Sequence, residues 1–163
     1  MNKYDDHLLI VPEDEPNEEM ANGFVEHHSV VDRRIMVLER ARGWLPAVES
    51  LERSLAQSMR NYPKRRVLLV IDFDNENNRR EYVEPMIPAD IRDRVFVLGT
   101  LSNPEELKAA LNGQSYERIG RLLAEDCLRH TDTTWSHPLL EHNKGELTRL
   151  REQVRPFLFE VES

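Results

Sequence analysis

The chain has 163 residues, of which 22 are Lys or Arg and 30 are Asp or Glu, giving a formal net charge of −8. This length suits one domain with its own core. The excess of acidic residues argues against a protein that binds nucleic acid by itself through a broad basic surface. Because the sequence has neither a long apolar run nor a signal-peptide pattern and carries a single cysteine, we expect a cytoplasmic protein with no membrane span and no internal disulfide.

Four continuous aliphatic runs alternate with helical patterns along the first two thirds of the chain. They cover residues 7–11, 34–38, 66–71 and 95–98. Unbroken apolar runs of this length are typical of strands that are buried on both faces of a parallel sheet. The alternation predicts an α/β fold with about four mostly parallel strands flanked by helices.

Helical patterns follow each predicted strand. Pro16 stands at the start of the first helix, where proline is favoured, and apolar spacing or capping residues predict three more helices at 45–60, 79–86 and 103–111. We treat residues 1–163 as one domain with a core of about 7–112.

A helical C-terminal extension is predicted over about residues 113–163. It contains helices at 115–129 and 139–154 and an edge strand at 157–159. Cys127 lies in the apolar-periodic part of the first of these helices, so we interpret it as a packed small hydrophobe and not as a reactive thiol. At the start of the third strand, the basic residues 64–66 are expected to be solvated.

Carboxylates follow the first and third predicted strands directly. Residues 13–15 are Glu-Asp-Glu, and Asp72 and Asp74 flank Phe73. Ligands of parallel sheets collect at the carboxyl ends of the strands, and converging carboxylates repel one another unless a hard cation lies between them. The pattern therefore predicts a divalent-metal site that Asp72 and Asp74 both face, with Phe73 turned away.

These residues also give the chain a resemblance to the Toprim fold of primases, topoisomerases and OLD-type nucleases. That family carries a glutamate after its first strand and an Asp-x-Asp after its third, where this chain has Glu13 and Asp72-Phe73-Asp74. The Arg-Gly pair at 42–43 resembles the glycine turn after the family's second strand. The helix start at 103–106 resembles the one after its fourth strand, so the resemblance spans about residues 7–112.

The sequence departs from the family pattern immediately after the first strand. Many members have glutamate followed by glycine there, whereas this chain has Glu13, Asp14 and Glu15 in succession. Either Glu13 or Glu15 can therefore occupy the key glutamate position, and we favour Glu13 because it is nearest the strand end.

The resemblance implies Mg²⁺- or Mn²⁺-dependent cleavage or transfer at a nucleic-acid phosphodiester. It implies catalytic and metal-binding roles for Glu13, Asp72 and Asp74, and Glu76 is a further candidate ligand. Arg79 and Arg80 follow this cluster and are candidates for holding a phosphate. Small stand-alone bacterial members of the family sometimes work with an ATPase, so the expected partners are nucleic acid, bound weakly by this chain alone, and an ATPase protein.

Two other functions are compatible with the same residues. Residues 9–17 also resemble the start of a response-regulator receiver domain, in which acidic residues bind Mg²⁺ and an aspartate after the third strand accepts phosphate. However, Asp14 and Asp72 are further apart than in the receiver pattern, and no Lys-Pro pair follows a fifth strand. The third function is that of a Toprim-fold subunit that keeps its metal site but serves mainly to bind a partner.

Overall fold

One four-stranded parallel sheet, in the order β2-β1-β3-β4, forms the centre of the computed structural model. The model describes residues 1–160, so the last three residues of the predicted extension lie outside the described part. The predicted α/β class with parallel strands is confirmed. The strands are β1 (His7–Pro12), β2 (Ile35–Val37), β3 (Arg65–Val70) and β4 (Val95–Leu98).

Eight α-helices are found in residues 1–160. They are α1 (Glu15–Val25), α2 (Trp44–Ser50), α3 (Ala56–Asn61), α4 (Arg79–Val83), α5 (Pro104–Ala110), α6 (Tyr116–Arg129), α7 (Lys144–Gln153) and α8 (Arg155–Leu158). A π-helical segment, Leu51–Leu55, joins α2 to α3 within the predicted 45–60 helix. None of these helices is both long enough and apolar enough to cross a membrane.

The prediction of an edge strand at 157–159 is wrong. Most of that segment belongs to α8, and it meets another part of the described chain through a single antiparallel bridge between Val30 and Phe159. The apolar run is buried because α8 packs on the core, so its burial does not require an additional strand.

Alternate strand residues face two separate apolar layers. Leu8 and Leu68 belong to the layer that contains residues of α1, α6, α7 and α8, and Leu9 and Leu69 belong to the layer that contains residues of α2 and α3. The C-terminal helices α6, α7 and α8 thus cover one face of the sheet together with α1. Cys127 is buried in that layer, as predicted, and burial raises the pKa of its thiol to about 11.

Helices α1 and α6 approach each other closely through two glycines. A Cβ atom at Gly120 would lie 2.0 Å from the backbone oxygen of Met20, and one at Gly23 would lie 2.0 Å from the backbone oxygen of Glu117. Larger residues at either position would separate the two helices. This contact holds α1, and the loop that precedes it, against the sheet.

The outer edge of β4 is covered by side chains instead of a fifth strand. The Val97 N–H donates to Glu146 (3.0 Å), and the Val97 carbonyl accepts from Arg80 (3.1 Å). Asn143 accepts from the Gly99 N–H (3.2 Å) and donates to the Gly99 carbonyl (2.9 Å). These contacts satisfy backbone groups that an open edge would expose to other chains.

The prediction that residues 64–66 are solvated is wrong for Arg65. Arg65 is buried, and its Nε donates to Nε2 of His7, its partner in the β1–β3 register, at 2.9 Å. Desolvation lowers the pKa of His7, which keeps the imidazole neutral and able to accept this bond. Nδ1 of the ring then donates to the carbonyl of Asp5 (2.7 Å).

Candidate metal centre

The acidic segments that follow β1 and β3 meet at the carboxyl edge of the sheet. The Glu13 N–H donates to the carbonyl of Val70 (2.9 Å), and the Asp72 N–H donates to Oε2 of Glu13 (2.6 Å). Glu13, Asp14 and Asp72 each offer a carboxylate oxygen, and these oxygens lie within 4.8 Å of one another. We call these three residues the acidic cluster.

The chain turns sharply just after Asp72. Phe73 is fully buried and its N–H donates to the carbonyl of Thr100 (3.0 Å), so this residue still pairs beside the extension of β4. Asp74 and Asn75 then adopt left-handed conformations with φ of 51° and 64°. The turn leaves the Asp74 side chain 54% exposed, and Glu76 is exposed as well.

The structure therefore brings together only some of the residues that were predicted to bind a metal ion. Glu13 and Asp72 lie in the acidic cluster, while Asp74 and Glu76 lie outside it. Asp74 is nevertheless close enough for its charge to raise the pKa values of Glu13 and Asp72. Asp14 also belongs to the cluster, whereas the Toprim resemblance pointed to Glu13 or Glu15 as the carboxylate after β1.

Asn17 connects the two acidic segments. Its side-chain Nδ2 donates to Oδ1 of Asp14 (2.8 Å) and to Oδ1 of Asp72 (2.9 Å), and Asp14 also caps α1 by accepting the Asn17 N–H (3.1 Å). The residue is fully buried. Its Oδ1 has no hydrogen-bond partner among the described residues. Sequence analysis missed Asn17, for which the one local signal is its position three residues after a capping aspartate.

The glycine turn after β2 closes around Glu13. The N–H groups of Arg42 and Gly43 both donate to the Glu13 carbonyl, at 2.7 and 3.1 Å, and both residues have positive φ, 68° and 145°. The backbone N–H of Trp44 lies close enough to the Glu13 carboxylate to lower its pKa. Glu15, by contrast, is exposed and forms an ion pair with Arg40 (3.1 Å).

Burial dominates the electrostatics of the acidic cluster. Burial, with smaller contributions from the neighbouring carboxylates, raises the pKa of Glu13 and that of Asp72 to about 7. The contacts that oppose these shifts come from uncharged groups, which are the N–H groups of Asp72 and Trp44 for Glu13 and the Asn17 amide for Asp72. The charged forms of the pair are therefore poorly compensated by the protein itself.

The donor atoms of this cluster suit a hard divalent cation. Mg²⁺ and Mn²⁺ prefer carboxylate and amide oxygens and retain several waters. Glu13, Asp14 and Asp72 provide the carboxylates, and the unpartnered Oδ1 of Asn17 is a buried polar atom beside them. A cation in this position would also stabilise the charged forms of the two carboxylates, whose pKa values burial holds high.

The arginines proposed for phosphate binding have different surroundings. Arg80 pairs with Glu146 (3.4 Å) and covers the edge of β4, so it is already committed to the fold. Arg79 places its guanidinium 4.3 Å from the centre of the Trp44 ring and 3.5 Å from Oδ2 of Asp74.

Comparisons with protein-family models, with curated proteins and with solved structures found no match to this chain. What the structure defines is an α/β protein with a parallel sheet and a small acidic cluster at its carboxyl edge. Membership of the Toprim family is therefore a proposal that rests on the positions of these acidic residues.

Proposed function

We propose that this chain is a Toprim-like enzyme that cleaves or transfers nucleic-acid phosphodiesters with the help of Mg²⁺ or Mn²⁺. The observation that carries the proposal is the meeting of Glu13 and Asp72 at the ends of two neighbouring parallel strands, joined by the 2.6 Å hydrogen bond. Carboxylates gathered in this way, with no ion-pair partner in the described part of the chain, are typical of sites that hold a divalent metal ion.

The acidic cluster and Asn17 have complementary roles in this proposal. Asp72, Asp14 and Glu13 would hold the cation, and Asn17 keeps the carboxylates of Asp14 and Asp72 in place. A bound divalent cation supplies positive charge to a phosphate and to its leaving oxygen. Glu13 is also the candidate general acid or base, since burial holds its pKa at about 7, close to neutral pH, while no cation is bound.

The exposed carboxylates beside the cluster complete the proposed site. Asp74 and Glu76 stay predicted ligands, available on the loop after β3 for a cation that is shared with the substrate. The net charge of −8 limits unaided binding of nucleic acid, which is why an ATPase partner remains part of the proposal. We also propose a cytoplasmic location, which agrees with a single, buried cysteine.

Nicking of supercoiled plasmid by the purified protein in Mg²⁺ or Mn²⁺ tests this function. Asp72→Asn and Glu13→Gln should each reduce the nicking rate about a hundred-fold, because each removes a charged oxygen from the site. Asp90→Asn is the matched control, since Asp90 is an exposed carboxylate that pairs with Arg60 away from the cluster. It should nick at the rate of the unmodified protein.

Two outcomes would contradict the proposal. The first is the absence of cleavage of plasmid, duplex and single-stranded substrates in either metal, with candidate ATPases added. The second is cleavage that Asp72→Asn leaves unchanged, since the activity would then come from another site or a contaminant. Binding of Mn²⁺ without any cleavage would support a non-catalytic subunit instead.

A further inference from the structure

An aromatic pair stands beside the acidic cluster. The rings of Trp44 and Tyr82 meet edge to face, with centroids 6.0 Å apart and an interplanar angle of 69°. Trp44 is half-buried, and its backbone N–H lies close enough to the Glu13 carboxylate to lower its pKa, so this residue lies beside the candidate metal centre. Tyr82 is 63% exposed. Its ring is therefore supported by protein on one side and open to solvent on the other.

Arg79 fixes this pair to the loop after β3. Its guanidinium lies 4.3 Å from the centre of the Trp44 ring, and its Nη2 lies 3.5 Å from the Phe73 carbonyl and from Asp74. The Arg79 side chain is only 11% exposed, so the stacked cation is held within the structure. A cation over the indole face stabilises the ring in one position. We call Trp44, Tyr82 and Arg79 the aromatic platform.

An exposed cation lies close to the platform. Arg42 precedes Trp44 by two residues, is exposed, and has a left-handed backbone with φ of 68°. Its N–H donates to the Glu13 carbonyl (2.7 Å), which anchors the residue at the rim of the acidic cluster. An exposed tyrosine that packs on Trp44 and an exposed arginine whose backbone is bound to Glu13 thus both belong to the surroundings of the acidic cluster.

We infer that the aromatic platform binds an unpaired nucleotide, whose base stacks on Tyr82 and whose phosphate lies between Arg42 and the acidic cluster. The substrate class is therefore single-stranded or locally unpaired nucleic acid. Bases of a single strand have free faces that stack on protein aromatic rings, and positively charged side chains hold the adjoining backbone. Bases within a duplex stack on one another and offer no such face.

The charge of the protein favours this mode of binding over a purely electrostatic one. With a net charge of −8, the chain has little to gain from general attraction to phosphates. Stacking provides affinity that does not depend on a basic surface, and a divalent cation in the cluster would remove the local repulsion. The inference rests on the proposed function for the chemistry, but stacking can be measured without any cleavage.

Fluorescence anisotropy of labelled oligonucleotides tests the platform, with Ca²⁺ replacing Mg²⁺ so that binding is read without cleavage. The probes are oligothymidylate, oligouridylate and a duplex of equal length. We expect the single strands to bind more tightly than the duplex, and Tyr82→Ala to weaken single-strand binding about ten-fold, as expected when one base–aromatic stack is lost. Tyr82→Phe should retain the affinity.

Tyr4→Ala is the matched control for loss of an exposed tyrosine. Tyr4 is 77% exposed and also meets a second ring, that of Tyr62, edge to face at 5.7 Å, but it belongs to the N-terminal segment before β1. This variant should bind all three probes like the unmodified protein. A preference for one of the two single strands would identify DNA or RNA, and either supports the inference.

Three results would overturn the inference: no binding of either single strand, equal or tighter binding of the duplex, or an unchanged affinity in Tyr82→Ala. The plasmid-nicking assay shows separately whether the proposed function fails, because it measures cleavage and not binding. Single-strand binding that depends on Tyr82 in a protein that cleaves nothing would contradict the enzyme proposal and support the platform. Nicking that depends on Asp72, together with unchanged single-strand binding in Tyr82→Ala, would support the enzyme proposal and contradict the platform.

Discussion

The backbone N–H of Asp72 donates a 2.6 Å hydrogen bond to the carboxylate of Glu13 and so joins the ends of β3 and β1. This bond fixes two carboxylates from distant parts of the chain beside each other, although their mutual repulsion opposes it. Among residues 1–160, the groups that bind these two carboxylates are neutral donors, including the Asn17 amide. A cluster held in this way should respond to protons and to divalent cations.

The first prediction concerns the pH dependence of folding without metal. Burial raises the pKa values of Glu13 and Asp72 to about 7, above their ordinary values of 4.5 and 3.8. The folded state thus holds protons that the unfolded chain has released, so these groups contribute stability that is present below about pH 4 and is lost as the pH rises through about 7. Urea unfolding in EDTA over this range measures the effect.

The double variant Glu13→Gln, Asp72→Asn should lack this contribution, because neither side chain can titrate. The difference in unfolding free energy between unmodified and double-variant protein should therefore change between about pH 4 and pH 8. Identical pH profiles for the two proteins would show that the carboxylates titrate normally and that the cluster is not electrostatically strained.

The second prediction concerns Asn17. In Asn17→Asp a carboxylate of the same shape replaces the amide that donates to Asp14 and Asp72. Two buried hydrogen bonds are lost and a further negative charge is added, so the free energy of unfolding should fall by about 3 kcal/mol without metal. Thermal unfolding with and without Mn²⁺ measures this, and Mn²⁺ should recover part of the loss.

Asn103→Asp provides the comparison. Asn103 caps α5 by accepting the Glu106 N–H (2.9 Å), and aspartate caps a helix equally well. This substitution should change stability by less than about 0.5 kcal/mol and show no particular response to Mn²⁺. If Asn17→Asp proves as mild as Asn103→Asp, then Asn17 does not hold the acidic segments together.

The third prediction concerns the covered edge of β4. Asn143→Ala removes both hydrogen bonds to Gly99 and should destabilise the protein by about 2–4 kcal/mol, because buried backbone groups are left unpaired. It should also increase self-association, since an open edge can pair with another chain. Urea unfolding measures the loss of stability, and light scattering measures self-association. Asn61→Ala, at the exposed end of α3, is the control and should change neither stability nor self-association.

The fourth prediction concerns the crossing of α1 and α6. Gly120→Ala places a methyl group where a Cβ atom would lie 2.0 Å from the Met20 carbonyl oxygen, so it should cost about 1–3 kcal/mol of unfolding free energy. Gly145→Ala, in α7 with no atom within 4 Å of its Cβ position, should instead add about 0.5–1 kcal/mol. Equal effects of the two substitutions would contradict the close helix contact.

The strand pattern was predictable because it is local. Four aliphatic runs with no interior polar residue identify buried parallel strands, and the end of such a strand identifies where a following carboxylate lies. Glu13 and Asp72 could therefore be assigned to one edge of the sheet. The buried position of Phe73 between Asp72 and Asp74 follows from the same alternation.

The features that sequence analysis missed depend on contacts between distant residues. Asn17 and Asp72 are 55 positions apart, and nothing near Asn17 indicates that its amide would reach the loop after β3. Arg65 is buried because the β1–β3 register places it beside His7, and that register is not visible in its basic neighbours. The pairing of Trp44 with Tyr82 likewise requires knowledge of where α2 and α4 pack.

Anomalous diffraction from crystals soaked in Mn²⁺ tests the central claim most directly, because it locates the ion itself. We expect a bound Mn²⁺ with oxygens of both Glu13 and Asp72 at about 2.1 Å. Asp72→Asn crystals treated in the same way should lose the peak. Absence of anomalous density between these two side chains at saturating Mn²⁺ would contradict the account, since the acidic cluster would then be only a strained feature of the fold.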